Sequence, residues 1–279
     1  MSAPEKGIVP QGPSKSGYDP GQWFWESRKK GPSSAGTILF TALRVLDIPL
    51  QYYFLKSGLG VALISRLGGA AVTTPFTTPM TGIGLSPYHT LILGLAVGSS
   101  AKQIYWKLAI NDTAMPLGFS TIVSVYNTLL NTFNTTLALW TLTSQQPTDQ
   151  SSLKAFFETA PLTLPIGIAL YTTGIFIEWY CEIQRKSFKS HPSNKNNPYS
   201  GGLFSLARHI NYGGYTLWRA GYSAICGGWI WAATMAAWLA GDFCGRAIPS
   251  LDAYCEKRYG DSWEEVRRKV PYRLLPWIY

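Results

Sequence analysis

The chain has 279 residues, of which 46% are hydrophobic and 14% are charged, and it carries a formal net charge of +9. Because soluble domains hold roughly 25% charged residues, this composition disfavours a soluble domain and favours a membrane bundle. The basic residues gather in an N-terminal arm, in the loop 185–208 and in the tail after Arg246. The sequence has no nucleic-acid-binding motif, so we expect no nucleic acid partner.

The first 34 residues are rich in Pro, Gly, Ser and Lys and lack the apolar core of a signal peptide. They are predicted to form a disordered cytosolic arm. The four cysteines, Cys181, Cys226, Cys244 and Cys255, include no CxxC pair. We therefore expect neither a disulfide framework nor a metal site.

Six apolar blocks follow the arm. About 20 residues at 1.5 Å per residue cover the hydrocarbon core of a bilayer, and backbone amides in lipid must bond within their own segment. The sequence therefore predicts an all-α, polytopic membrane helical bundle with about five to seven transmembrane helices. The blocks are 37–55, 58–72, 85–106, 115–142, 161–180 and 217–243.

Where the fifth block ends, four charged residues follow a helical spacing. Glu178, Glu182, Lys186 and Lys189 stand at i, i+4, i+8 and i+11, which places them along one helix face. Such an acid followed by cations could hold a nucleotide, with the cations on phosphate and the carboxylate on a hydroxyl or amide. The alternative is a helix end whose cations snorkel out of the membrane and pair internally.

In the segment 198–215, two glycine pairs flank a cluster of polar and aromatic residues just before the last apolar block. Glycine pairs permit close approach of a ligand to the backbone. Arg208 and His209 could donate to phosphate, Asn211 could bond an amide, and Tyr212 could stack or donate. This pattern favours a ligand-binding loop over a structural one. In the tail, residues 252–258 are predicted to form a helix that Gly260 ends.

Four segments resemble the sterol and steroid reductase superfamily, which is related to the isoprenylcysteine carboxyl methyltransferases. RHINYGGY (208–215) is similar to the RHxNYxG signature of sterol reductases, and QRKSFK (184–189) is similar to their QKxxFR. CEKRYGDSW (255–263) and VPYRLLPWIY (270–279) resemble their CxxKYGxDW and VPYRIIPxIY endings. The resemblance covers residues 178–279.

This resemblance implies a multi-pass enzyme of the endoplasmic reticulum membrane that binds NADPH through cytosolic loops and the C-terminal tail. It would be an NADPH-dependent oxidoreductase that reduces a C=C bond of a hydrophobic, sterol- or enone-like substrate. The chain would divide into the cytosolic arm 1–34, N-terminal transmembrane helices 35–177 that form the substrate cavity, and a cofactor-binding region 178–279. The implied cofactor contacts are Glu182, Arg185, Lys186, Lys189, Arg208, His209, Asn211, Tyr212, Arg246, Asp252, Tyr254 and Arg258.

The reaction also needs an acid in a site that excludes bulk water. Tyr105 and Tyr212 are the candidate catalytic residues, and the segment around Tyr105 resembles the HYxxR segment of steroid 5α-reductases without its His. An interfacial aromatic anchor is the alternative role of Tyr105. Arg44 and Asp47 form a further candidate pair inside the first block, where charged groups must pair or face a cavity.

Two other functions remain open. The first is a membrane S-adenosylmethionine-dependent methyltransferase of the isoprenylcysteine or phospholipid type, which shares the RHPxY-type loop. S-adenosylmethionine carries no phosphate, so the many cations near the loop favour NADPH over this alternative. The second is a catalytically inactive relative that binds lipid.

Overall fold

The computed structural model describes residues 31, 33–72 and 78–279. Apart from isolated β-bridge residues, among which Ala71 pairs with Trp140, the regular structure of these residues is helical, so the predicted all-α class is confirmed. Residues 1–30 of the predicted arm lie outside the described residues. The helices are α1 (Ser34–Lys56), α2 (Leu59–Arg66), α3 (Pro87–Tyr105), α4 (Leu117–Leu139), α5 (Leu153–Glu158), α6 (Thr163–Ser190), α7 (Ile210–Asp242), α8 (Ile248–Tyr259) and α9 (Asp261–Lys269). The π-helical turns Trp106–Ile110 and Phe243–Ala247 extend α3 and α7.

Within the described part of the chain, three helical segments are long and apolar enough to cross a membrane: α1, α6 and the run Ile210–Tyr259. α3 and α4 have 19 and 23 residues but carry polar side chains, such as Ser99 and Asn131, that are buried inside the bundle. α2 has 8 residues, too few to span a bilayer. A membrane helical bundle is thus confirmed, and the number of five to seven crossings stays a prediction.

The helix α7 folds back on itself at Gly228. The backbone there has φ 76° and ψ −171°, a conformation that favours glycine. The rings of Tyr212 and Phe243 stack with centroids 4.6 Å apart, whereas a straight helix would separate these residues by roughly 46 Å. The two arms of α7, 210–227 and 229–242, therefore run antiparallel, and both ends of α7 lie at the same end of the bundle.

Glycines let α6 approach the first arm of α7 closely. A Cβ on Gly174 would lie 2.4 Å from the backbone nitrogen of Trp218, and a Cβ on Gly221 would lie 2.6 Å from the carbonyl oxygen of Gly167. Small residues at helix contacts are typical of membrane bundles, where close backbone packing drives association. This packing places the C-terminal end of α6 beside the N-terminal end of α7.

The tail is tied to the loop that precedes α7. The backbone amides of Arg208 and His209 donate to the carbonyl oxygens of Tyr272 and Arg273 at 3.0 and 2.8 Å. α8 ends at Gly260, which has φ 54°, as predicted. The tail therefore packs against the end of the bundle where α6 ends and α7 begins.

Candidate cofactor-binding cavity

A cavity of about 490 Å³ opens at this end of the bundle. Its volume falls within the roughly 300–1,000 Å³ that is usual for ligand pockets. Helices α4, α6 and α8, both arms of α7 and the two π-helical turns contribute to its wall. The lining residues are Trp106, Tyr126, Glu178, Glu182, Arg185, Asn211, Tyr212, Tyr215, Trp238, Leu239, Asp242, Phe243, Arg246 and Leu251.

Five of the residues predicted to contact a cofactor line this cavity: Glu182, Arg185, Asn211, Tyr212 and Arg246. Glu182 is 5% exposed and joins two of the others. Its carboxylate forms an ion pair with Arg185 and accepts a hydrogen bond of 3.0 Å from Nδ2 of Asn211. These contacts hold the end of α6 and the start of α7 in a fixed relation.

The cavity wall has a formal net charge of −1, because two guanidinium groups face three carboxylates. The cations are Arg185 and Arg246, and the acids are Glu178, Glu182 and Asp242. Arg246 donates to both carboxylate oxygens of Asp242 at 2.7 Å. Both lining cations are ion-paired, and so are the three carboxylates, because Glu178 pairs with Lys102 of α3. The wall therefore offers no surplus of cations for a ligand with several phosphates.

Glu178 lies one helical turn before Glu182. One of its carboxylate oxygens accepts a hydrogen bond of 2.7 Å from Nε1 of Trp218, and the other forms an ion pair with Lys102 of α3. This acid therefore links α3, α6 and α7 at the cavity. Lys102 was not expected to contribute to the site, because α3 is remote in sequence from α6.

Aromatic rings form a large part of the wall. The ring of Tyr212 stacks on that of Phe243, and Tyr215 meets Phe243 edge-on at 5.8 Å. Tyr126 of α4 contacts Trp238 edge-on at 5.9 Å. The faces of such rings attract cations and stack with planar groups.

Three further predicted contacts lie behind the wall. Arg208 donates to the carbonyl oxygen of Val270 at 2.7 Å, and Nε2 of His209 lies 3.1 Å from Oδ1 of Asp252. Burial lowers the pKa of the His209 imidazole below its ordinary value, so this ring is neutral at pH 7 and donates to the carboxylate. Burial likewise lowers the pKa of the Arg208 guanidinium. These side chains hold the tail in place.

Four predicted contacts do not line the cavity. Lys186 donates to the carbonyl oxygen of Ala109, and Lys189 donates to the hydroxyl of Tyr259 at 3.1 Å. Arg258 donates to the hydroxyl of Tyr254. The face of α6 that sequence reasoning assigned to phosphate is therefore occupied by contacts within the protein.

The two candidate catalytic residues, Tyr212 and Tyr105, lie at different places relative to the cavity. Tyr212 lines the cavity, but Tyr105 is 40% exposed, contacts Trp179 edge-on at 6.3 Å and is absent from the wall. The next residue, Trp106, lines the cavity instead of Tyr105. Arg44 and Asp47 pair with each other at 3.0 Å inside the bundle, away from the cavity wall.

Sequence reasoning did not place Tyr126, Trp238, Asp242 and Phe243 at the site. The last three reach the cavity only because α7 folds back at Gly228, and the apolar block 217–243 conceals this turn. The pair Gly227-Gly228 was the available signal.

Taken together, the fold and the cavity define a membrane helical protein with an aromatic, charge-paired ligand site, most of whose lining residues lie between Glu178 and Leu251. The chain belongs to the family described as "Protein of unknown function (DUF1295)", which matches residues 118–265. It is 37% identical over 237 residues to Probable O-methyltransferase ustE of Ustilaginoidea virens, covering 82% of this chain and 81% of that protein. It is also 29% identical over 70 residues to Protein-S-isoprenylcysteine O-methyltransferase of Schizosaccharomyces pombe, covering 25% of this chain and 29% of that protein.

The expectation of an NADPH-dependent oxidoreductase is wrong, because both relatives are named O-methyltransferases. The cavity supplies the physical reason. Lys186, Lys189, Arg208 and Arg258, which were expected to hold a phosphorylated cofactor, bind groups of the protein instead. Of the stated resemblance, the relation to isoprenylcysteine methyltransferases is supported, whereas membership in the reductase superfamily is not shown.

Proposed function

We propose that this chain is a membrane S-adenosylmethionine-dependent O-methyltransferase that acts on a hydrophobic acceptor. The observation that carries the proposal is the 37% identity to Probable O-methyltransferase ustE over four-fifths of both chains. The cavity supports it independently. The predicted endoplasmic reticulum location belongs to the same proposal and is supported by the resemblance alone.

The donor set of the cavity fits S-adenosylmethionine, which carries a sulfonium, an ammonium, a carboxylate and an adenosine group but no phosphate. The aromatic faces of the wall attract positive centres through cation–π interactions, and three carboxylates lie among the lining residues. Arg185 and Arg246 supply donors for a carboxylate, and Glu182 and Asn211 supply partners for hydroxyl and amino groups. These four residues and Tyr212 are the proposed cofactor contacts.

When bound, S-adenosylmethionine would supply a methyl group, carried on a sulfonium, for transfer to an acceptor oxygen. The residues of this chain would act by binding, orientation and exclusion of water. Glu182 fixes Arg185 and Asn211 before the ligand arrives, which reduces the entropy lost on binding. The stacked rings of Tyr212 and Phe243 would supply an apolar side to the cavity.

Thermal unfolding of the purified full-length chain in detergent tests the proposal. A ligand that binds only the native state at 100 times its Kd stabilises that state by about 2.7 kcal/mol. S-adenosylmethionine and its demethylated product should each raise the Tm, and NADPH should leave it unchanged. A Tm that responds to neither sulfur compound would refute the proposal.

The control is Lys154→Gln on α5. Lys154 pairs with Glu158, its side chain is 83% exposed, and it lies outside the cavity wall. This variant should show the same ligand-induced rise in Tm as the wild type.

A further inference from the structure

A polar network crosses the centre of the bundle, next to the cavity. Asp47 of α1 pairs with Arg44 at 3.0 Å and accepts a hydrogen bond of 2.7 Å from Nδ2 of Asn131 on α4. Arg219 of α7 donates to the side-chain oxygens of Asn131 and Asn127. All five side chains are buried. The network therefore connects three helices through charged and amide groups.

The charges in this network do not balance. It contains two guanidinium groups, on Arg44 and Arg219, and one carboxylate, on Asp47. Arg219 is 1% exposed, and among the described residues no carboxylate lies within ion-pairing distance of it. Its guanidinium lies over the Trp218 ring at 4.2 Å. A buried cation without a counter-charge is costly, which favours a nearby anionic ligand.

Tyr215 connects this unbalanced charge to the cavity. Nε of Arg219 donates to the hydroxyl of Tyr215 at 3.2 Å, and Tyr215 lines the cavity wall. Tyr126, which precedes Asn127 in α4, lines the same wall. Arg219 thus lies directly behind the part of the wall that faces the bundle interior.

Each of the three carboxylates that line the cavity is held in an ion pair. Glu178 pairs with Lys102, Glu182 pairs with Arg185, and Asp242 pairs with Arg246. A neutral hydroxyl acceptor would need a base to remove its proton, and ion-paired carboxylates are poor bases because protonation would break the pair. An acceptor that enters the cavity already ionised needs no base.

We propose that Arg219, acting through Tyr215, makes the inner end of the cavity select acceptors that present a negatively charged oxygen on an apolar body, a carboxylate or a phenolate. This assignment rests on the proposed methyl transfer and names its acceptor class. Arg219 is a positioning residue here, since Tyr215 stands between it and the cavity. The positive potential of its guanidinium favours the ionised form of the acceptor over a neutral analogue of the same shape.

Binding of three naphthalene probes to the purified full-length chain, saturated with S-adenosylhomocysteine, tests this selection. 2-Naphthoate is ionised, 2-naphthalenemethanol is neutral, and 2-naphthol ionises as the pH rises. The wild type should bind 2-naphthoate about tenfold more tightly than the alcohol, as expected for charge-assisted hydrogen bonding. Its affinity for 2-naphthol should increase with ionisation if phenolates are accepted; a pH-independent affinity would limit the class to carboxylates.

Variants assign the selection to Arg219. Arg219→Gln should abolish the preference for 2-naphthoate, and Arg219→Lys should restore part of it, while the affinity for S-adenosylmethionine stays unchanged in both. A preference that persists in Arg219→Gln would overturn the inference. So would a loss confined to S-adenosylmethionine affinity, which would make Arg219 a cofactor contact.

If Arg219→Gln does not fold, Tyr215→Phe tests the selection of anionic acceptors instead. This variant removes the hydroxyl that accepts from Arg219 but keeps the ring, so the preference for 2-naphthoate should fall about threefold or more. An unchanged preference would overturn the inference. Failure of the wild type to bind S-adenosylmethionine would instead refute the proposed function, so the two failures are distinguishable.

Discussion

At the cavity, Glu182 joins two segments that α6 and α7 bring together from distant parts of the sequence. Its carboxylate is nearly inaccessible to water and holds both Arg185 and Asn211. Removing one partner of a buried charged pair leaves the other without compensation. The negative charge of Glu182, rather than its shape, should therefore determine how well the cavity is ordered for a ligand.

Glu182→Gln should weaken S-adenosylmethionine binding about tenfold, because it preserves side-chain size while removing the charge that fixes Arg185. Isothermal titration of the detergent-purified chain measures the effect. Glu158→Gln is the matched control, since Glu158 is an exposed glutamate outside the cavity wall. Equal affinities for the two variants would remove Glu182 from the binding site.

His209 gives a prediction about pH. Burial lowers the pKa of its imidazole, so the folded chain binds a proton there less readily than the unfolded chain. The neutral ring therefore stabilises the fold above the unfolded pKa of about 6.5, and this contribution is lost as the pH falls through 6.5 towards the folded pKa.

His209→Gln should therefore lose less thermal stability than the wild type as the pH is lowered from about 7 to about 5. The Tm measured across this range reports the difference. His191→Gln is the control, because His191 is exposed and should retain the wild-type pH dependence. Parallel Tm curves for His209→Gln and the wild type would contradict the account.

At the scale of helices, the contact between α6 and α7 determines whether the cavity can form. Gly174 meets the backbone of Trp218 so closely that a single added methyl group would collide with it. Separating the two helices would also separate Glu182 from Asn211, because these residues lie just beyond the contact.

Gly174→Ala should destabilise the chain by about 1–3 kcal/mol through overpacking, and it should also weaken S-adenosylmethionine binding. Gly94→Ala on α3 is the control, since a Cβ there would meet nothing within 4 Å. Thermal unfolding and ligand titration of both variants give the comparison. Wild-type stability in Gly174→Ala would show that the helices are not in close contact.

The sequence predicted the helical class from apolar block length and predicted Glu182 and Arg185 from the charged end of α6, which are local features. Asn211 and Tyr212 came from the glycine-flanked loop, and Arg246 came from the family resemblance. Sequence reasoning missed the return of α7 at Gly228, since both arms are apolar and the block 217–243 has the length of a single span. It also assigned Lys189 and Arg208 to a ligand, because sequence gives the position of a cation but not its partner. Both side chains bind parts of the protein that are distant in sequence.

At the scale of the whole molecule, the excess positive charge of the chain does not collect on the cavity wall. The chain carries +9, yet the cavity wall carries −1, and Arg208 behind the wall holds the tail rather than a ligand. This distribution explains why the cation count favoured a phosphorylated cofactor, although the cations at the described site are bound to groups of the protein. The central claim is that S-adenosylmethionine occupies the cavity between α6 and the two arms of α7.

Photo-crosslinking with S-[methyl-³H]adenosylmethionine, followed by peptide mapping of the full-length chain, tests this claim most directly. The label should appear in peptides that contain Tyr212 and in those that contain Trp238 or Phe243, and excess S-adenosylhomocysteine should suppress it. Label confined to α1, α2 and α5, which contribute no lining residue, or label that S-adenosylhomocysteine does not displace, would contradict the account.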